Sequence, residues 1–193
     1  MSDFKPEIGR YLNRLSEVIS DLDHGQIDSA MNALMEAYEN EGRVFVFGNG
    51  GSAATASHFV CDFNKGVSIN LKKKFDLVCL NDNVPTVLAI ANDCGYENIF
   101  LLQLEDRLKR NDIIIAISGS GNSKNVVKAA EYAKKNGNKI IALTGYDGGA
   151  LMELADHPVH VNINDTQKVE DVHMILDHLM SQIIAERLGQ KMF

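Results

Sequence analysis

The chain has 193 residues, 45% of them hydrophobic and 23% charged, a composition typical of one globular domain with a proper core. The formal net charge is −7 and no basic run is longer than residues 72–74, so a nucleic-acid-binding surface is not expected. No stretch reaches the roughly 18 apolar residues of a membrane span, and the first 14 residues are mixed and charged rather than a signal core.

Helical periodicity runs through the first forty residues. Apolar residues form one stripe at positions 8, 12, 15, 18, 19 and 22 and a second at positions 27, 31, 34, 35 and 38. Residues 23–25 break the pattern and Gly42 ends it. We therefore expect a helical hairpin over residues 1–41, followed by an α/β core and a C-terminal helix over residues 42–193.

The periodicity then changes to short runs rich in β-branched residues. Continuous apolar runs of this kind are typical of strands covered on both faces, and helical patterns lie between them. This alternation predicts a single domain, a three-layer α-β-α sandwich with a doubly wound, five-stranded parallel sheet. The predicted strands are 44–47, 77–80, 113–117, 139–143 and 159–163, and the predicted helices are 53–63, 85–93, 98–108, 123–136 and about 166–187.

The three cysteines, Cys61, Cys79 and Cys94, are an odd and scattered set without metal-type pairing. We interpret them as reduced thiols of a cytoplasmic protein. Buried filler is the favoured role for them over a reactive thiol, because free cysteine packs as a small hydrophobic residue.

Two glycine- and serine-rich turns each follow a strand and precede a helix. Residues 48–52 read GNGGS and residues 118–123 read SGSGNS. The first turn is neither a dinucleotide fingerprint nor a P-loop, and alone it could be a plain strand-to-helix corner. Glycine allows close backbone approach, helix N-termini present N–H groups, and capping needs one serine rather than three. Because both turns fall at the carboxyl edge of the sheet, together they predict a phosphate cradle.

His58 and Asp62 lie four residues apart on the helix after the first turn. This spacing puts both side chains on one face, about 6 Å apart at Cβ. The pair could be two metal ligands, or an acid that orients an imidazole. Taken alone, a solvent-exposed pair of this kind is more often only a weak helix-stabilising contact.

The last helix has a polar, histidine-containing stretch: Glu170, Asp171, His173, Asp177 and His178. His173 and Asp177 are again four residues apart. Glu170 and His178 are about 12 Å apart along the helix axis, so one straight helix is strained if it brings both to a single ion. Either different chains supply them or their side chains reach toward each other, and a solvated polar face is the commoner case.

Asn92 and Asp93 follow an apolar run and precede Gly95. Their pattern is typical of a helix end with turn chemistry. Asp93 would be a proton-transfer candidate only if its carboxylate faces the phosphate cradle.

Residues 48–54, 58–59, 117–123 and 143–149 together resemble the sugar isomerase (SIS) domain and, within it, the phosphoheptose isomerases. The resemblance covers nearly the whole chain, including the leading and last helices. It implies that both turns and the Asn-Asp pair bind a sugar phosphate. The implied substrate-binding residues are Asn49, Gly50, Gly51, Ser52, Asn92, Asp93, Ser118, Gly119, Ser120, Ser123 and Glu170.

The resemblance also implies a zinc site held by His58, Asp62, Glu170 and His178. Two of these positions depart from the family, which has Glu at position 62 and Gln at position 170. Asp62 is one methylene shorter than the family's catalytic Glu, and Glu170 brings a charge in place of a neutral amide. All four groups can still bind zinc through nitrogen or oxygen. Asp62 and His178 would form the acid/base pair.

By the same resemblance, the expected reaction is aldose–ketose isomerisation of sedoheptulose 7-phosphate to D-glycero-D-manno-heptose 7-phosphate through an enediol. A homotetramer with sites between subunits is implied, with the N-terminal hairpin in the interface. Two alternatives remain: a non-catalytic relative that binds the bacterial replication initiator, and a sugar-phosphate-sensing regulatory domain. The full set of potential ligands argues against the first, and the lack of an attached DNA-binding segment against the second.

Overall fold

Five parallel strands form the central sheet of the computed structural model, which describes residues 2–190. The strand order is β2-β1-β3-β4-β5. Gly48 pairs with Ile117, and Ser118 pairs with Thr144, so these strands end at one edge of the sheet. The strands are β1 Val44–Gly48, β2 Leu77–Cys79, β3 Ile113–Ser118, β4 Lys139–Thr144 and β5 His157–His160.

Helices cover both faces of the sheet, as the alternating sequence pattern predicts. Helices α1, α2, α3 and α8 pack on one face, and α4 to α7 pack on the other. The predicted α-β-α sandwich is therefore confirmed. The helices are α1 Lys5–Ser20, α2 His24–Glu39, α3 Gly51–Cys61, α4 Val84–Cys94, α5 Leu101–Leu104, α6 Lys124–Lys135, α7 Gly149–Leu154 and α8 Thr166–Arg187.

Strand side chains alternate between two apolar cores. Val44 and Val46 of β1 point to the core under α2, α3 and α8, whereas Phe45 and Phe47 point to the opposite core. Because both faces of each central strand are buried, the sequence shows continuous apolar runs rather than alternation.

Strand β5 and the helix expected over 98–108 differ most from the sequence prediction. The sequence predicts strand β5 at 159–163, but the strand runs His157–His160. It ends there because His160 pairs with Thr144, the last residue of the partner strand. The N–H of Val161 still donates to the Thr144 carbonyl. The helix expected over 98–108 is reduced to a 3₁₀ turn and the short α5. It ends where Glu105 becomes extended and Asp106 takes a positive φ of 57°.

Helix α3 begins earlier than predicted and continues as a π-helical turn, Asp62–Val67. Its first turn forms at Gly51 because the Gly50 carbonyl accepts from the N–H groups of Ala53 and Ala54. The described part of the expected hairpin is α1 and α2; residues 1 and 191–193 of the expected domain lie outside the described residues.

Cys79 is buried, as expected for filler, but Cys61 and Cys94 are exposed. The expectation of burial was wrong for these two, because each lies at the last residue of a helix, on its solvent side. Within residues 2–190, no helix combines the length and the apolar character needed to cross a bilayer.

Candidate active site

The two glycine-rich turns meet at one cavity of about 230 Å³ at the carboxyl edge of the sheet. The first turn connects β1 to α3 and the second connects β3 to α6, while α8 closes the third side. The predicted convergence of the turns is therefore observed. The cavity is lined by Asn49, Ser52, Ile117, Ser118, Gly119, Ser120, Ser123, Tyr146, Thr166 and Glu170.

The serine-rich turn holds its hydroxyls beside the N-terminus of α6. Ser123 occupies the cap position, but its side chain makes no capping hydrogen bond; instead the Ser118 Oγ donates to the Ser123 Oγ at 3.2 Å. The loop after β4 holds the turn in place, since the Gly145 N–H donates to the Gly119 carbonyl at 2.8 Å. Gly121 has a φ of 65°, and a Cβ there would overlap the Gly148 backbone. The hydroxyls and helix N-terminus suit an anionic group.

Asn49 ties the first turn to the second. Its side-chain amide exchanges two hydrogen bonds with the amide of Asn125 on α6, at 2.8 and 2.9 Å, and its Oδ1 also accepts from the Tyr96 hydroxyl at 2.8 Å. Asn125 is buried. These bonds hold the two walls of the cavity in a fixed relation, so a bound phosphate would meet preorganised donors.

Glu170 lies in this cavity rather than beside His178. Its carboxyl group rests directly against Gly51, where any Cβ would overlap it. The position is at the N-terminal end of α3, where the helix dipole favours a negative charge. Gly51 is therefore needed to admit the Glu170 carboxylate as well as to shape the turn.

A second group of polar side chains lies where α3 packs on α8. The Nε2 atoms of His58 and His178 are 2.9 Å apart, and the His58 Nε2 is 3.7 Å from the Asp62 Oδ1. One oxygen of Asp177 completes the group. One donor atom from each of the four residues lies within 4.8 Å of the others. The structure thus brings together three of the four residues that the resemblance implies as ligands, with Asp177 in place of Glu170.

Asp177 is the member that sequence reasoning missed. Its carboxyl group is fully buried, and burial together with the nearby Asp62 charge raises its pKa to about 8. The sequence pattern indicates only that it lies four residues from His173 on a polar face. The signal that could have found it is its place beside Val172 and Leu176 on the buried side of α8, where an acidic residue is unexpected.

His173 also lies in the core, one turn before Asp177. Burial lowers its pKa to about 4, so its ring is neutral at ordinary pH. Its Nε2 lies 3.3 Å from the Thr144 carbonyl at the end of β4. His173 therefore anchors α8 to the sheet and does not point to the cavity.

Asn92 and Asp93 are exposed at the end of α4. The Asn92 Nδ2 donates to the Asp93 Oδ1 at 2.6 Å, and neither residue lines the cavity. Within one chain, the structure therefore does not bring this pair to the phosphate cradle.

A cavity lined by glycine and serine turns at the carboxyl edge of a doubly wound sheet, with an imidazole–carboxylate group on the adjoining helices, is typical of an α/β enzyme that binds an anionic substrate. A model of the SIS domain matches residues 9–145. A phosphoheptose isomerase of Helicobacter pylori is 36% identical over 165 residues, covering 86% of this chain and 85% of that protein. The chain belongs to the SIS domain family and, within it, to the isomerases that these relatives represent.

Solved structures support the same placement. A phosphoheptose isomerase from Francisella tularensis has a TM-score of 0.87 and 28% identity over 96% of this chain and all of that chain. A phosphoheptose isomerase from Neisseria gonorrhoeae has a TM-score of 0.86 and 26% identity, over 95% of this chain and 100% of that chain. The expected fold family and the expectation of an isomerase are confirmed.

Proposed function

We propose that this isomerase interconverts sedoheptulose 7-phosphate and D-glycero-D-manno-heptose 7-phosphate through an enediol. The observation that carries the proposal is the presence of two distinct polar sites on one helix pair. The phosphate-type cradle lies at one end, beside Ser52 and Glu170, and the acid/base group lies further along the same helices, at His58 and His178.

The spacing of these two sites supports a long phosphosugar. Ser52 and His58 are six residues apart, about 9 Å along the α3 axis. An extended chain advances about 1.2 Å per bond. The seven bonds from phosphorus to C2 of a heptulose 7-phosphate therefore span about 8 Å, whereas the five bonds in a pentulose 5-phosphate span about 6 Å.

Binding at the cradle would place the reacting carbons. Ser118, Ser120 and Ser123 supply hydroxyls to the phosphate, with Gly119 in the same turn, and Ser52 stands at the start of α3. The first turn, residues 49–51, closes the opposite wall. Energy from these remote contacts holds C1 and C2 against the acid/base group, so it contributes to rate as well as to affinity.

Asp62 and His178 are the proposed acid/base pair. One group removes a proton from C1 of the ketose and returns it at C2, while the other moves a proton between O1 and O2. Each role needs a titratable group within hydrogen-bond reach of the sugar. Half-buried Asp62 and exposed His178 both border the group formed by α3 and α8.

The same residues fit a zinc ion. Two imidazole nitrogens and carboxylate oxygens within 4.8 Å of one another are the donors that zinc prefers. The two orphaned oxygens of Asp177 are a further sign that this group holds a cation. His58, Asp62 and His178 would hold the ion, and Glu170, the fourth ligand that the family resemblance implies, would have to come from another subunit because it lies in the cradle of its own chain. A bound zinc ion would polarise the sugar oxygens.

A homotetramer is proposed on the exposed apolar surface of the helical layers. Helix α1 buries only Val18 and leaves Ile8 and Leu12 more than half exposed, and α4 leaves Leu88 63% exposed. Such surfaces are typical of subunit interfaces. Asn92 and Asp93, at the end of α4, would reach substrate only in such an assembly. Sedimentation equilibrium tests this proposal, and a monomeric mass at micromolar concentration would contradict it.

A cytoplasmic location is proposed because the three cysteines are unpaired in the described structure, as expected in a reducing compartment.

The proposed substrate class is tested by comparing kcat/KM for ketose phosphates of five, six and seven carbons. We expect the seven-carbon substrate to be preferred by at least tenfold. Equal turnover of the pentulose phosphate would contradict the spacing argument. Binding of the replication initiator without any turnover would support the non-catalytic alternative.

A further inference from the structure

Asp177 is an acidic residue placed where folding alone disfavours one. Its side chain has no solvent exposure, and neither carboxylate oxygen has a hydrogen-bond partner among residues 2–190. Removing a carboxylate from water without a compensating partner is strongly unfavourable, so buried carboxylates are normally paired or bound to a metal. The burial of Asp177 without a partner therefore indicates that a cation binds to its carboxylate.

The described surroundings of Asp177, within residues 2–190, supply no such partner. The nearest acidic group is Asp62, which has the same sign and disfavours the ionised form of Asp177. The hydroxyl of Ser181, one turn later, contacts the Asp62 Oδ2 at 3.5 Å and the His178 carbonyl at 3.1 Å instead. What Asp177 does approach is the donor set of His58, Asp62 and His178, all within 4.8 Å.

Two imidazole nitrogens and two carboxylate oxygens are a complete tetrahedral donor set for zinc, and a dication would neutralise both carboxylates. Glu170 lies outside this set, because its carboxyl group rests against Gly51 at the far end of α3. Asp62 is one methylene shorter than the glutamate that the family resemblance leads one to expect. The carboxylate of Asp177 would compensate for this shorter reach by adding a second acidic ligand.

We propose that Asp177, and not Glu170, is the fourth protein ligand of the metal site in this chain. The inference rests on the proposed metal-dependent isomerase and names the ligand set of that site. Glu170 then remains a cradle residue, where its carboxylate faces the sugar phosphate cavity. The site would differ from that implied by the resemblance at both carboxylate positions.

Zinc binding to the metal-free protein tests the ligand set without any turnover. Affinity is measured by competition with a chromophoric chelator, and Co²⁺ substitution reports geometry through its visible absorption. We expect Asp177→Asn to weaken zinc binding by roughly 100-fold or more, because losing even a residue that only hydrogen-bonds to a ligand lowers metal affinity by about 10–100-fold. The same substitution should remove the intense absorption bands of tetrahedral Co²⁺. Glu170→Gln should change the zinc affinity by less than about threefold, because the Glu170 carboxyl group lies outside the cluster of metal ligands.

Thermal unfolding separates a ligand from a structural residue. Asp177→Asn replaces an unpartnered buried carboxyl group by an amide of the same shape, so the metal-free Tm should not fall while the zinc-induced increase in Tm shrinks. Asp112→Asn is the matched control: Asp112 is equally buried, but it accepts from the N–H groups of Arg43 and Lys109. That variant should lower the metal-free Tm and leave zinc affinity unchanged.

Two results would overturn the inference. If Asp177→Asn binds zinc as the unaltered protein does while Glu170→Gln loses it, Glu170 is the ligand, supplied by another subunit. If the unaltered protein binds no zinc, no ligand set exists. Sedoheptulose 7-phosphate turnover by the metal-free protein would then leave the isomerase proposal standing without the metal site. Asp177→Leu provides a second variant should the asparagine side chain itself act as a ligand.

Discussion

The Nε2 atoms of His58 and His178 lie 2.9 Å apart although 120 positions separate the residues in the chain. Packing of α3 against α8 creates this contact. The same two helices contribute Ser52 and Glu170 to the cradle. One helix pair therefore sets both the acid/base group and its distance from the phosphate, and changes in that packing should affect binding and chemistry together.

Replacing His178 by glutamine should lower kcat by about 100-fold or more, because general acid–base catalysis contributes factors of that order. Circular dichroism and oligomeric state should remain unchanged, since His178 is exposed. His157→Gln is the control: His157 bonds to the Ser29 hydroxyl at 2.8 Å, away from the site. Full activity of the His178 variant in a steady-state assay would remove this residue from the mechanism.

Loss of the two outer hydroxyls of the cradle should mainly weaken binding. Ser120→Ala combined with Ser123→Ala removes two hydrogen bonds to a charged group, each worth about 1.5–3 kcal/mol, so KM should rise by at least about 100-fold. Ser20→Ala, on the exposed side of α1, is the matched control. An unchanged KM in the double variant would mean that the phosphate binds elsewhere.

The sequence predicts the cradle better than it predicts the acid/base group. Glycine and serine in residues 48–52 and 118–123 are local signals, and strand order places both turns at one edge. The acid/base group at His58 and His178 depends on the orientation in which α8 packs against α3, and no local sequence pattern specifies that orientation. For that reason the sequence alone does not single out Asp177, and the family resemblance groups Glu170 with His178. The end of β5 at His160 likewise depends on where its partner strand stops.

Gly51→Ala should destabilise the protein, because the added Cβ overlaps the Glu170 carboxyl group. Because the overlapped atoms are the end of a flexible side chain that can turn away, we expect a loss of about 1 kcal/mol at most, the low end of overpacking changes. Combining it with Glu170→Ala should restore most of that stability in urea unfolding. Gly9→Ala, where a Cβ meets nothing within 4 Å on helix α1, should be neutral or stabilising. Additive effects of the Gly51 and Glu170 changes would show that the two residues do not touch.

Stability should fall as the pH drops from about 6.5 to about 4, through His173. Burial holds its pKa near 4 in the folded state, against 6.5 when unfolded. Between these values the unfolded chain binds a proton that the folded chain excludes, so the contribution is complete above pH 6.5 and is lost below it. The loss amounts to roughly 3 kcal/mol.

Replacing His173 by glutamine should flatten this part of the stability profile in urea titrations at several pH values. The Thr144 carbonyl keeps its bond from the Val161 N–H at 2.9 Å. His24→Gln, at the exposed start of α2, serves as the control and should leave the slope unaltered. An identical slope in the His173 variant would assign the acid sensitivity to other groups.

The most direct measurement of the central claim is ¹H NMR of purified, zinc-supplied protein with sedoheptulose 7-phosphate in D₂O. The account predicts signals of an aldoheptose 7-phosphate, with solvent deuterium at C2 from the enediol, and their absence with the His178→Gln variant. If sedoheptulose 7-phosphate saturates the cradle but yields no aldose and exchanges no proton at C1, the protein is not a sedoheptulose 7-phosphate isomerase.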